Sequence, residues 1–164
     1  MTWPAYLILA LVTLQRLGEL WLAERNTRRL LAKGAHEVGR GHYAFVVAVH
    51  AGWLVALWLL GPGPPIHVWP LVAYLLLQVA RVWVIATLGE RWTTRIIVLP
   101  GEPLVRHGPY RWLDHPNYLI VVAEIAVLPL VFGLPVVAAF FSVLNAIILW
   151  VRIREENQAL APHR

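Results

Sequence analysis

The chain is 164 residues long, 59% hydrophobic and only 14% charged, with no cysteine. A soluble domain is about 45–50% apolar and about 25% charged, so this composition excludes an ordinary soluble globule; the missing cysteines exclude disulfides and thiolate metal sites. The formal charge of +5 comes from basic residues grouped in a few segments, which reads as membrane topology rather than nucleic-acid binding.

In chain order, a crossing helix needs about 20 apolar residues, and three such runs come first. They are Trp3–Ala23, Tyr43–Leu60 and His67–Leu88. The first lacks a basic leader and an A-x-A-like site directly after it, so it is expected to be a retained helix and not a cleaved signal. "GPGPP" at 61–65 is a tight break between the second and third. A connector, 89–116, follows. After Pro116 the chain is apolar again to Trp150, interrupted at "FGLP" (132–135). That length predicts a helical hairpin, 117–132 and 134–151. Its first arm is only about 24 Å long at 1.5 Å per residue. The expected fold is an all-α polytopic membrane bundle of about five transmembrane helices in one domain: three N-terminal helices (1–88), the connector, the hairpin (117–151) and a cytosolic tail (152–164).

Charge placement supports five crossings. Basic residues fill the 24–42 connection, the 89–116 connector and the tail with Arg152, Arg154 and Arg164, while the 61–65 and 132–135 turns hold none. Five crossings put all three basic segments on one side. The positive-inside rule then places the N-terminus out and the tail in the cytosol, and the expected location is the bacterial inner (plasma) membrane. The 24–42 segment is also suited to anionic lipid headgroups.

Polar residues inside the spans are the second clue. Arg16, Arg81, Glu124 and Asn145 each fall roughly 10 Å below the cytosolic surface, at 1.5 Å per residue. Gln15, Glu19 and Gln78 lie nearby in sequence. Ionisable groups at such depth usually face the bundle interior or a wet cavity, so one polar chamber is expected. Arg16 and Glu19, three apart, are also placed to pair with each other.

In the connector, "IIVLPGEPLV" is too apolar for a solvated loop; it reads as interfacial or pocket-lining. Pro116 suits the first turn of the next helix. Asp114 is the expected cap, with His115 at the helix mouth, where freed N–H groups favour an anionic group. In "VRIREENQAL", Arg152 and Glu156 share a face if the last helix continues. His36 and His42 are too isolated to be metal ligands, and no metal is expected.

Together, "LVRHGPYRWLDHPNYL" and the later "RIREENQAL" resemble the isoprenylcysteine carboxyl methyltransferase family of integral-membrane methyltransferases. The matching parts are Leu104-Val105, Gly108-Pro109-Tyr110, His115-Pro116-Asn117-Tyr118, then Arg152 and Glu156. The resemblance covers about residues 95–160. It implies S-adenosylmethionine as methyl donor, contacted by Glu102, Pro103, Leu104, Val105, Tyr110, His115, Pro116, Asn117, Tyr118 and Glu156. It places Arg152 at the substrate. Three positions depart from the family: Asp114 stands where Arg is frequent, Ile120 where Gly is frequent, and Glu102 where the prenylcysteine enzymes carry His. The absent Arg argues against a prenylcysteine carboxylate. The whole pattern is most similar to the bacterial branch that O-methylates long-chain alkylpyrones or alkylresorcinols.

The expected activity is therefore S-adenosylmethionine-dependent O-methylation of a lipophilic small molecule, an alkylpyrone- or alkylresorcinol-type lipid or a carboxylate, by a protein whose other partners are membrane lipids. Burial disfavours the charged form of a carboxyl, which makes Glu124 the candidate base, with Asp114 second and Arg152 stabilising the developing oxyanion. Phospholipid N-methylation and prenylcysteine carboxyl methylation are the alternative acceptors. A transporter or assembly subunit is the non-enzymatic alternative; transport predicts polar residues through both leaflets.

Overall fold

A computed structural model describes residues 3–161, so Arg164 of the basic tail lies outside the described residues. Five helices form the body: α1 (Trp3–Ala32), α2 (Arg40–Leu60), α3 (Val68–Leu88), α4 (Pro116–Val131) and α5 (Pro135–Leu160). Four of them are long and apolar enough to cross a membrane; α4, with 16 residues, is the shorter one. The fold is an all-α membrane bundle, and the chain is an integral membrane protein.

The pattern of burial is that of a bundle in lipid. Leu76, Val79 and Phe140 point outward, while Arg81, Glu124, Asn145 and Arg152 are buried. Apolar side chains cost nothing against lipid tails, whereas charges must be kept inside. Two apolar clusters bracket these charges. One joins Leu9, Trp53, Leu57, Leu128 and Phe132. The other joins Ala23, Val84, Trp92 and Ile120 beside the connector. Along α1, α3 and α4 the polar residues fall between the two clusters.

Two helices run past their expected ends. α1 continues nine residues beyond Ala23, and α5 continues through Glu156 to Leu160. The hairpin forms as expected, with a turn at Phe132–Leu134 where Leu134 N–H donates to Pro129 O at 3.0 Å. The α3 end of the "GPGPP" break is tied to this turn, His67 N–H donating to Val131 O at 2.8 Å.

The connector contains a strand that an all-helical reading omits. Ile96–Val98 (β2) pairs antiparallel with His36–Val38 (β1), in register His36↔Val98, Glu37↔Ile97 and Val38↔Ile96. The "IIV" run is β-branched, which suits a pleated, half-buried strand. Arg95 bonds Glu37 at 3.1 Å beside the pair. Burial works against the Arg95 charge, yet the hydrogen bond and charge of Glu37 outweigh it and raise its pKa. Asn26, buried in the extended part of α1, donates to Gly89 O at 3.1 Å and Trp92 O at 2.9 Å, which anchors the connector to the helix.

Candidate functional site

The connector, the start of α4 and the end of α5 enclose a cavity of about 430 Å³. Its walls include Glu102, Pro103, Leu104, Val105, Tyr110, His115, Asn117, Tyr118, Arg152 and Glu156. Pro116 lies outside this lining, buried at the first position of α4. Asp114 is also in the wall. Three local features shape the cavity. Gly108 takes φ +57, and an added Cβ would meet Thr87 Oγ1 at 2.7 Å, so only glycine fits this approach of connector to α3. Arg91 pairs with Glu102 and donates to Pro103 O at 2.6 Å, holding the apolar run over the cavity. Pro116 starts α4, but the N-cap is His115 rather than Asp114, and no side chain caps it. The helix begins one residue later than a capping Asp114 requires, because proline fills the first helical position.

The α5 extension puts Arg152 and Glu156 on the face that meets α4. Arg152 Nε donates to the Tyr118 hydroxyl at 2.7 Å, and that hydroxyl in turn donates to Glu156. His115 stacks on Tyr118 with centroids 5.3 Å apart, and its Nε2 lies 3.2 Å from Asn157 Oδ1. Burial, with the Glu156 carboxylate nearby, pushes the Tyr110 phenol well above its ordinary pKa, so it serves as a neutral aromatic wall. The side-chain oxygen of Asn117 is buried without a partner; it is an acceptor that awaits a donor inside the cavity.

A second cavity, of about 350 Å³, lies deeper among the helices. Arg16, Arg81, Glu124 and Asn145 all line it, so the polar residues from four spans do meet in one chamber. Arg81 grips Glu19 with two bonds of 2.6 and 2.7 Å and reaches Glu124 Oε2 at 2.8 Å. Arg16 bridges Glu19 at 2.9 Å and Glu124 at 3.0 Å. Gln78 donates to Glu124 Oε1 at 2.8 Å. Arg16 and Glu19 pair as their spacing predicts, but each also has partners on other helices. Glu124 has no basic neighbour in sequence and gains two in space.

The rest of the chamber is apolar, with Leu17 and Leu20 of α1 and Val47 of α2 in its wall. These three are also 58%, 47% and 46% exposed on the outer surface, so the chamber opens sideways between α1 and α2. Trp92, Thr93, Asn117, Tyr118 and Arg152 belong to both cavities and form the partition between them. Sequence reasoning does not single out His50, which lines the chamber; a lone histidine in the apolar run of α2 was the available signal. The "IIV" run lines the outer cavity, as its apolar character predicts, but its pairing as a strand is missed, and so is Thr93, which lines both cavities.

The model of the isoprenylcysteine carboxyl methyltransferase (ICMT) family matches residues 70–162, from α3 to the end of α5. A Bacillus subtilis (strain 168) protein, the uncharacterized YpbQ, is 38% identical over 160 residues, covering 94% of this chain and 95% of its own. An uncharacterized protein of Haemophilus influenzae is 26% identical over 152 residues, covering 89% and 88%. No solved structure matches the chain. On the family match over more than half its length, this chain belongs to the isoprenylcysteine carboxyl methyltransferase family of membrane methyltransferases.

Proposed function

We propose that the protein is an S-adenosylmethionine-dependent O-methyltransferase acting on a lipophilic acceptor of the alkylpyrone or alkylresorcinol type. One observation carries the reading: two cavities, one about half polar and one mostly apolar, share a partition of Trp92, Thr93, Asn117, Tyr118 and Arg152. A transfer enzyme for a water-soluble donor and a membrane-soluble acceptor needs that arrangement, because the two ligands must meet at about 3–3.5 Å while arriving from different solvents.

The outer cavity suits the donor. Its volume lies within the usual ligand range of about 300–1,000 Å³. Two of its carboxylates, Glu102 and Glu156, match an ammonium group. Tyr110 and Tyr118 offer ring faces to an adenine or a cation, and the unpartnered Asn117 oxygen is an acceptor for an amine. When bound, S-adenosylmethionine supplies an electrophilic methyl group. Arg152, in the partition, stabilises negative charge as it develops on the acceptor oxygen. The lateral opening between α1 and α2 admits the lipid tail. The basic connections face the cytosol, and with them the donor cavity.

Titration calorimetry of the purified protein in detergent tests the reading. S-adenosylmethionine is expected to bind with micromolar affinity, and His115→Ala to weaken that binding at least tenfold. A well-folded protein that shows no heat with the donor overturns the proposal.

A further inference from the structure

We propose that His50 is the general base of the inner chamber, and that the chamber accordingly accepts a lipid-tailed phenol, an acceptor that must lose a proton to react. The inference rests on the methyl-transfer reading above and deepens it. His50 sits on α2 and lines the chamber. Its Nδ1 lies 2.8 Å from Val46 O, one helical turn back. A carbonyl oxygen can only accept, so the neutral ring carries its proton on Nδ1 and leaves the Nε2 lone pair as the basic site.

The carboxylates of the chamber are already committed. Both oxygens of Glu124 accept bonds, one from Gln78 and the other from Arg81 and Arg16. Both oxygens of Glu19 are held by Arg81. The other charged or titratable groups in the wall are Arg16, Arg81, Arg152, Tyr43 and Tyr118, none of them bases at neutral pH. His50 offers the chamber a nitrogen lone pair that no neighbour occupies, on a side-chain type that takes up a proton within the physiological pH range. Asn145, 2% exposed, lines the same chamber with its amide nitrogen unpartnered. It supplies a donor for a second oxygen on the head group, as a resorcinol carries.

The step balances. The phenolic proton passes to His50 Nε2, and the electron pair it leaves on oxygen forms the O–CH3 bond. The donor's C–S bond breaks with its pair kept on sulfur, giving a neutral thioether, and the positive charge moves from the sulfonium to the imidazolium. His50 resets by releasing that proton. A phenol, with an ordinary pKa of about 10, needs this base; a carboxylate acceptor, already ionised at neutral pH, does not.

The test compares wild type and His50→Gln in detergent, with an alkylresorcinol and with a fatty-chain carboxylate as acceptors. For the alkylresorcinol, kcat/KM of the variant is expected to fall by about 10²- to 10⁴-fold. The wild-type profile is expected to lose activity below a titration in the histidine range, and the variant to lack that limb. In ¹⁵N spectra of histidine-labelled protein, the His50 Nε2 resonance is expected to move on adding the alkylresorcinol while Nδ1 stays in place. An equal fall for both acceptors, an unchanged variant, a wild type active only on the carboxylate, or an unmoved Nε2 resonance overturns the role of His50 and leaves the methyltransferase reading standing. Absent donor binding together with inactivity on both acceptors overturns the methyltransferase reading itself.

Discussion

Tyr118 is the residue on which the proposed site turns. Its hydroxyl accepts from Arg152 and donates to Glu156, so one phenol fixes two opposite charges a helical turn apart on α5. Remove the hydroxyl, and the two charges are free to close on each other, since four residues is pairing distance on a helix. That would draw Glu156 out of the donor cavity. Tyr118→Phe is expected to weaken donor binding by roughly ten- to a hundredfold, the worth of about 1.5–3 kcal/mol for hydrogen bonds to charged groups. Calorimetry reads this directly, and an unchanged Kd rejects the positioning role. These positions stood out because "HPNY" and "RIREENQ" keep a family's spacing. His50 was not, because nothing in sequence tells which ring nitrogen a helix carbonyl will satisfy.

At the scale of the elements, the charged layer is what cross-links α1, α3 and α4. Arg16 and Glu19 come from the first, Arg81 and Gln78 from the second, and Glu124 from the third. Two guanidiniums meet two carboxylates, so the layer is neutral as a whole. Glu124→Gln leaves two cations sharing one anion inside the bundle. Breaking such a buried pair costs about 3–5 kcal/mol, and a marked drop in the midpoint of thermal unfolding in detergent is expected. Adding Arg16→Gln restores neutrality and is expected to recover part of the loss; a double variant no more stable than the single one rejects the charge-balance account. The depth of these residues was readable from their distance to each span's end. Their pairing was not, because it depends on how each helix is rotated about its axis. The β1–β2 pair was hidden for another reason: each strand is three residues long, too short for alternation to register, and its partners lie some sixty positions apart.

For the whole molecule, the proposed orientation requires that α4 cross the membrane. At 16 residues it is short, yet the basic segments fall on one side only if it does. The chain has no cysteine, so single cysteines report side without background. With five crossings, Lys33→Cys and Ala161→Cys are labelled from the same face of a sealed vesicle and Pro64→Cys from the other. Labelling of Ala161→Cys from the face of Pro64→Cys means four crossings and overturns the proposed orientation. The composition alone settled that the protein lives in a membrane. It left the inner architecture open, because lipid-facing and core-facing leucines are chemically the same residue.

The side opening between α1 and α2, flanked by Leu17 and Val47, has a kinetic consequence under the proposed reading. One substrate is then counted per volume of water and the other per area of bilayer. Diluting a vesicle suspension lowers the first and leaves the second untouched, so turnover at saturating donor follows the mole fraction of acceptor among the lipids rather than its bulk concentration. The protein then behaves as a surface catalyst, and the lipid that surrounds it is both its solvent and its reservoir.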